Sequence, residues 1–144
     1  NVKKYTVEQI FPLYEGDVVL VMSDVPNGKA LGKCFLIDEN DKYSLNQRIC
    51  AIRSERFNSK YLYYHLNRNK HFLDFNNGEN QTNLRKGDIL DCPLVIPPME
   101  IQDRIVEILD NLKDATNQVK ENIREKSILA EELQQSILGL PFKF

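Results

Sequence analysis

Mostly apolar positions in the last third of this 144-residue chain recur at alternating intervals of four and three, at Ile105, Leu109, Leu112, Thr116, Val119, Ile123, Lys126, Ala130, Leu133, Ile137 and Leu140. That interval keeps every one of these positions on a single narrow seam of one helix. No Pro or Gly interrupts the run from Glu100 until Gly139, and Pro141 follows, so a C-terminal stop is written into the sequence. At about 1.5 Å per residue the predicted rod is on the order of 55 to 60 Å long. Such a rod outruns any core that the preceding residues could build, so its far half is expected to pack against another helix. Ile105, Leu109, Leu112, Val119, Ile123, Leu133 and Ile137 are the expected pairing residues, while Thr116, Lys126 and Ala130 thin the seam. The alternative is a helix lying across its own domain.

Upstream the pattern shortens. Gly16-Asp17 leads into a β-rich run from Asp17 to Met22, Pro26-Asn27-Gly28 reads as a turn, and Lys33 to Asp38 as a second strand. Glu39-Asn40-Asp41 turns the chain again, and Tyr43 to Arg53 alternates like a strand. Asn58 or Ser59 can cap a helix from about Lys60 to Leu73, with Phe57 placed as its staple and Arg68, Lys70 and His65 on its polar face. Asn76 to Thr82 is turn-rich, Asp88-Ile89-Leu90 reads as a short strand, and a strand from Pro93 to Ile96 ends at Pro97-Pro98, which launch the rod. The expectation is an α+β chain: a mixed, β-rich domain over residues 1–99, followed by one long coiled-coil helix over 100–144.

Composition narrows the class. With 42% apolar and 28% charged residues the sequence reads as a soluble globular domain plus a rod, without an apolar run of membrane-spanning length or a basic-then-apolar leader. Cys34, Cys50 and Cys92 are odd in number, far apart and lack any CxxC, which points to buried thiols in a reducing cytoplasm. The net charge of −2 hides a division: residues 1–41 and 100–144 each carry −3, and residues 42–99 carry +4. In that middle segment Lys and Arg interleave with Tyr, Asn and Gln, a mixture suited to phosphate contact and base-edge readout, and equally to a solvated face.

Motifs for catalysis were sought in the same residues. No Lys has Asp or Glu two positions before it, as a metal-dependent nuclease would require, and Ile96-Pro97-Pro98-Met99 lacks the polar first and aromatic last residues of an amino-methyltransferase loop. Gly28 to Cys34 has the wrong spacing for a phosphate loop and Cys where Ser or Thr must stand. No nucleophile elbow occurs, and the cysteines with His65 and His71 lack paired zinc-ligand spacing. No catalytic residue, metal or cofactor is expected.

The order of segments then becomes informative. Gly78-Glu79-Asn80-Gln81-Thr82-Asn83-Leu84, Ile89, Leu94-Val95-Ile96-Pro97-Pro98-Met99-Glu100-Ile101-Gln102 and Ile105 to Asp110 resemble the end of a target recognition domain from the specificity subunit of a type I restriction-modification system. Gly16-Asp17-Val18, Leu45 to Arg48 and Tyr61 to Leu66 match the same pattern in the same order. The resemblance implies a non-catalytic, cytoplasmic subunit that binds one half of a split double-stranded DNA site. Separate methyltransferase and motor-nuclease subunits would carry the chemistry. It also implies a domain that normally begins before Asn1, and a second domain and helix, so the rod's partner is either a second copy or the other half. A rod of about 55 Å corresponds to roughly 16 base pairs and can act as a ruler.

On this resemblance and the basic, amide-rich composition, DNA contact is expected from Asn46, Gln47 and Arg48, from Arg68 and Lys70, and from Asn77, Gly78, Asn80, Gln81 and Asn83. Gln102 and Glu100 are assigned to the start of the helix and to subunit docking. The competing readings are an ordinary Asn/Gly turn for the loop and an ion pair of Arg48 with Asp74 or Glu79. For the whole chain they are a coiled-coil regulator or protein scaffold and an enzyme with an unrecognised site.

Overall fold

In the computed structural model the described residues are 11–139; Leu140 and Pro141 of the expected seam and stop lie outside them. The chain is α+β, as expected. A three-stranded antiparallel sheet has β1 (Val18–Val21) at its centre, flanked by β3 (Cys34–Leu36) and β4 (Ile49–Ile52). β2 (Ser23–Asp24) continues from β1 and pairs with β5 (Thr82–Asn83) in a second, two-stranded sheet. Four helices complete the order among the described residues: α1 (Ser59–Leu66), α2 (Lys70–Leu73), α3 (Lys86–Leu90) and α4 (Met99–Leu138).

Strand period explains the core. Val18 and Leu20 point to one face of the sheet, where they join Leu31, Cys34, Leu62, Leu66, Phe72, Leu84 and Cys92; Val19 points to the other, with Leu13 and Ile37. β4 divides in the same way, Cys50 and Ile52 packing on the first cluster and Ile49 and Ala51 on the second. A strand covered on both faces must be apolar at every position, which is why Val-Val-Leu-Val shows no alternation. Two of the three cysteines, Cys34 and Cys92, are buried, as their wide spacing suggested.

Four sequence expectations fail on local geometry. The alternation from Tyr43 to Arg53 forms a strand only over Ile49–Ile52, because Asn46 turns the chain: its Oδ1 accepts the Arg48 N–H at 2.8 Å and its carbonyl the Ile49 N–H at 3.2 Å. The single helix from Lys60 to Leu73 is two, broken at Arg68, whose φ of 58° is left-handed and whose N–H leaves the helix to donate to the Gly32 carbonyl at 2.7 Å. Asn58 does cap α1, accepting from Lys60 and Tyr61, and Asn69 supplies the cap of α2 that the simpler reading did not require. Phe57 stacks on Tyr61, with ring centroids 6.1 Å apart. Asp88-Ile89-Leu90 is helical, not a strand, since Asp88 reaches back to accept the Arg85 N–H at 2.6 Å and closes the first turn of α3. Pro93 to Ile96 runs without ladder partners, as the proline at its start and the Pro97-Pro98 pair behind it would dictate.

The chain divides into two compact units, Asn1–Val106 and Glu107–Phe144. The first turns of α4 belong to the former, where Gln102 and Val106 are buried. No helix among the described residues is long and apolar enough to cross a membrane.

Candidate nucleic-acid interface

The segment from Met22 to Gly32 gathers the candidate residues. Met22 donates its N–H to the Arg48 carbonyl at 2.9 Å, and its own carbonyl accepts the Leu84 N–H at 2.7 Å. The Asn46–Arg48 turn and the β5 strand bearing Asn83 are thereby tied to the same residue. One position further on, Ser23 pairs with Asn83, and its hydroxyl accepts the Gln81 amide at 3.1 Å. Asn27 then donates to the Gly78 carbonyl at 3.2 Å, and Arg68 reaches the Lys29 and Leu31 carbonyls at 3.3 and 3.0 Å. Three groups of candidates, separated by up to 37 residues from Asn46 to Asn83, share one short stretch of backbone as their support.

Within that arrangement the residues differ in what they leave available. Asn46, Gln47 and Arg48 are all exposed. In the polar loop the Asn76 and Asn77 side-chain oxygens cap the backbone, accepting from Gly78 at 2.9 Å and from Glu79 and Asn80 at 3.1 and 3.3 Å. The loop is therefore held by its own amides, and Asn80, Gln81 and Asn83 stand exposed on it. Gly78 has φ 77°, and a Cβ there would lie 3.2 Å from Asn27 Oδ1, so the backbone conformation and the close neighbour both demand glycine. Arg68 is exposed yet spends part of its guanidinium on the carbonyls just named. Lys70 pairs with Asp74 at 2.7 Å, both well exposed, an interaction of small energy that a phosphate can displace. The alternative pairing of Arg48 with Asp74 or Glu79 does not form among the described residues, and Asp74 pairs with Lys70 instead.

Lys29, Arg85 and Lys86 are exposed beside these groups and were not among the expected contacts. Lys29 lies in the acidic first segment of the sequence, where charge counting gave it no weight, and only the bond from Arg68 to its carbonyl shows its position. Asp24 closes the same turn, its carboxylate accepting the N–H groups of Val25, Ala30 and Leu31. Burial pushes the Asp24 carboxyl up, but bonds from the Ala30, Leu31 and Val25 N–H groups and the charge of Arg68 outweigh this and hold it below its ordinary value.

Asp17 and Arg53 make a second electrostatic site, one that fixes the sheet. The Asp17 carboxylate is buried and takes both Arg53 Nε and Nη2, at 2.5 and 2.7 Å, together with the Tyr14 N–H at 2.8 Å. The guanidinium also lies 5.0 Å from the Tyr14 ring centroid. Arg53 is accordingly unsuited to phosphate contact despite its place in the basic segment. Among the described residues no three His, Cys, Asp or Glu side chains cluster as a metal site would require. Burial, followed by the neighbouring Cys50 and Cys92, pushes the Cys34 thiol up to about 12, so it stays protonated at neutral pH.

Gln102 anchors the start of α4 within the first unit. It is buried, its amide donates to the Arg56 and Pro97 carbonyls at 3.0 and 2.9 Å, and its Oε1 accepts the Asn58 N–H at 2.8 Å. Every polar atom of the side chain is thereby used. Along the rest of α4, Ile105 and Leu109 are half-buried, whereas Leu112, Val119, Ile123, Leu133 and Ile137 are each more than half exposed. Ile108 and Leu129 are exposed as well and widen the apolar face beyond the expected seam, whereas the exposed Ile128 falls on the opposite side of the helix.

Comparison with known proteins gives a consistent picture. The family model for the type I restriction modification DNA specificity domain matches residues 1–126. A Haemophilus influenzae protein described as a type I restriction enzyme specificity subunit is 31% identical over 107 residues, which are 73% of this chain and 27% of that protein. A chain from a structure described as the basis of complex assembly and conformational transition of the type I R-M system superposes with a TM-score of 0.72 at 21% identity, over 93% of this chain and 32% of that one. The last likeness is one of fold. The chain thus spans 27% and 32% of the two relatives' lengths.

Proposed function

The chain belongs to the family of type I restriction-modification DNA specificity domains, and on that premise we propose that it is a non-catalytic specificity module binding one half of a split double-stranded DNA target. In this reading residues 1–99 are the target recognition domain and 100–144 the spacer helix. Methyltransferase and motor-nuclease subunits assembled around it supply the chemistry in the cytoplasm. The observation that supports the reading is the convergence of exposed amide and basic residues, far apart in sequence, on the Met22–Gly32 support. Arg48, Arg68 and Lys70 supply positive charge to phosphates; Asn46, Gln47, Asn77, Asn80, Gln81 and Asn83 supply amides that can pair with base edges; and Gly78 keeps the loop backbone low.

α4 is the second half of the proposal. Its exposed Leu112, Val119, Ile123, Leu133 and Ile137 pair with a matching helix, from a second copy or from the other half of a longer subunit, and set the distance between two DNA contacts. The forty residues of α4 span about 60 Å at 1.5 Å per residue.

The test is salt-dependent fluorescence anisotropy on duplex DNA with the chain assembled with its methyltransferase. Arg48→Ala and Lys70→Ala are expected to weaken binding to all sequences and to reduce the salt slope by about one each. Gln81→Ala is expected to cost roughly 1 to 3 kcal/mol on the cognate half-site alone. Unchanged affinity and slope in all three would reject this surface and favour a coiled-coil protein scaffold.

A further inference from the structure

We propose that the turn from Asp24 to Leu31 is a further DNA-reading element, in which Lys29 meets a phosphate and Val25 a base edge; the inference rests on the DNA-binding reading above. Neither residue belongs to the amide-rich loop or the basic segment that the sequence singles out. The turn is built to hold one shape. Asp24 Oδ1 accepts the Val25 N–H at 2.9 Å, and Oδ2 accepts those of Ala30 and Leu31 at 2.6 and 3.0 Å. A Cβ at Gly28 would stand 2.1 Å from Asp24 Oδ1, so glycine is what leaves the carboxylate its place. Asn27 sits at φ 57° and donates to the Gly78 carbonyl, which fixes the turn against the polar loop.

The core has no use for the tip. Val25 is 60% exposed, and Pro26, Asn27 and Lys29 are exposed with it. A turn braced by three bonds to one carboxylate and one bond to the neighbouring loop therefore displays an apolar and a cationic side chain to solvent. Rigid display of this kind lowers the ordering cost of binding. Each of the two side chains has a defined counterpart on duplex DNA: an ammonium for a phosphate oxygen, and a branched aliphatic for the thymine methyl in the major groove. The Asp24 charge is taken up by backbone N–H groups and the nearby Arg68, so the turn does not present a bare carboxylate to the DNA.

The test uses the full-length specificity chain assembled with its methyltransferase, a random-sequence duplex library, and one fixed duplex drawn from the preferred sequences. Lys29→Ala should weaken binding to every duplex alike and make the dependence of log affinity on log salt shallower by about one. Val25→Ser should lose roughly fifteenfold on the preferred duplex, the worth of the two buried methyl groups it removes, and relax the preference at one base position with the salt slope unchanged. Thermal unfolding of both variants should match the parent, since neither side chain is packed. Arg48→Ala and Gln81→Ala are measured alongside. If those two weaken binding while Lys29→Ala leaves the salt slope and Val25→Ser leaves the base preference untouched, the turn is structural only and this inference falls by itself. If none of the four has an effect, or the parent does not bind, the DNA-binding reading falls with it.

Discussion

Asp17 shows how one residue can decide the fate of its neighbour. Arg53 occupies the basic segment and would count as a phosphate ligand by composition, but the buried Asp17 carboxylate claims it through two bonds. Burial pushes the Asp17 acid up, and the bonds from Arg53 and the Tyr14 N–H together with the Arg53 charge more than offset this, leaving it below its ordinary value of 3.8. A depressed folded-state value means that the stabilisation is fully present above about 3.8 and is lost as the pH falls through the folded value. Arg53→Ala should therefore cost about 1 to 2 kcal/mol at neutral pH, a figure kept low because half of the Arg53 side chain is in water. Urea midpoints of parent and variant should converge in acid, where Asp17 is protonated in both. A gap that is as wide in acid as at neutral pH would show that Arg53 acts through packing instead.

At the scale of elements, Gln102 ties the start of α4 to the backbone that leads into α1. Its side chain bonds the backbone of Asn58, Arg56 and Pro97, three points from two separate stretches of chain. Gln102→Ala would remove the side-chain partner of one N–H and two carbonyls that are partly buried, at a cost of about 2 kcal/mol. Gln102→Glu keeps the acceptor for Asn58 but faces two carbonyls with a carboxylate, so it should rescue little. Equilibrium unfolding checks both, and a Glu variant as stable as the parent would contradict the bonding assigned to Nε2. Elements were also where sequence reasoning was weakest. Asp88-Ile89-Leu90 has the composition of a strand, yet one carboxylate reaching back to Arg85 makes it a helix. Arg68 has ordinary helix propensity, yet the free Gly32 carbonyl draws its N–H away and splits the helix in two.

At the scale of the whole molecule the apolar face of α4 sets the demand for a partner helix. Leu112, Val119, Ile123, Leu133 and Ile137 are all exposed, and each contributes roughly 1.5 to 3 kcal/mol if buried in a pair, less what Lys126 and Thr116 take from the seam. Self-association is thus expected to be modest, antiparallel so that Lys126 avoids its own copy, and visible by light scattering at high concentration. Ile123→Asp should abolish it and leave single-domain DNA contact weak but measurable. A strict monomer with α4 still helical by circular dichroism would exclude pairing between copies and leave the other half of a longer subunit as the partner.

The periodicity of the sequence alone determined α4, because a forty-residue seam without Pro or Gly has no other regular solution. Local residue chemistry further determined β1, whose unbroken apolar run needs cover on both faces, the turn at Pro26-Asn27, and a helix cap at Asn58 or Ser59, of which the structure uses Asn58. The family was legible in the order of weak motifs, none of which specifies it alone. Tertiary structure decided the rest. Which cations remain for a ligand depended on where carboxylates and carbonyls lie in space, as Arg53 on Asp17 and Arg68 on Leu31 show. The common support at Met22–Gly32, and the place of Lys29 and Val25 beside the amide loop, rest on hydrogen bonds between residues as far apart as Asn27 and Gly78. Periodicity reports only the few residues on either side of a position, whereas a site assembled from three separated segments is fixed by contacts that no local pattern encodes.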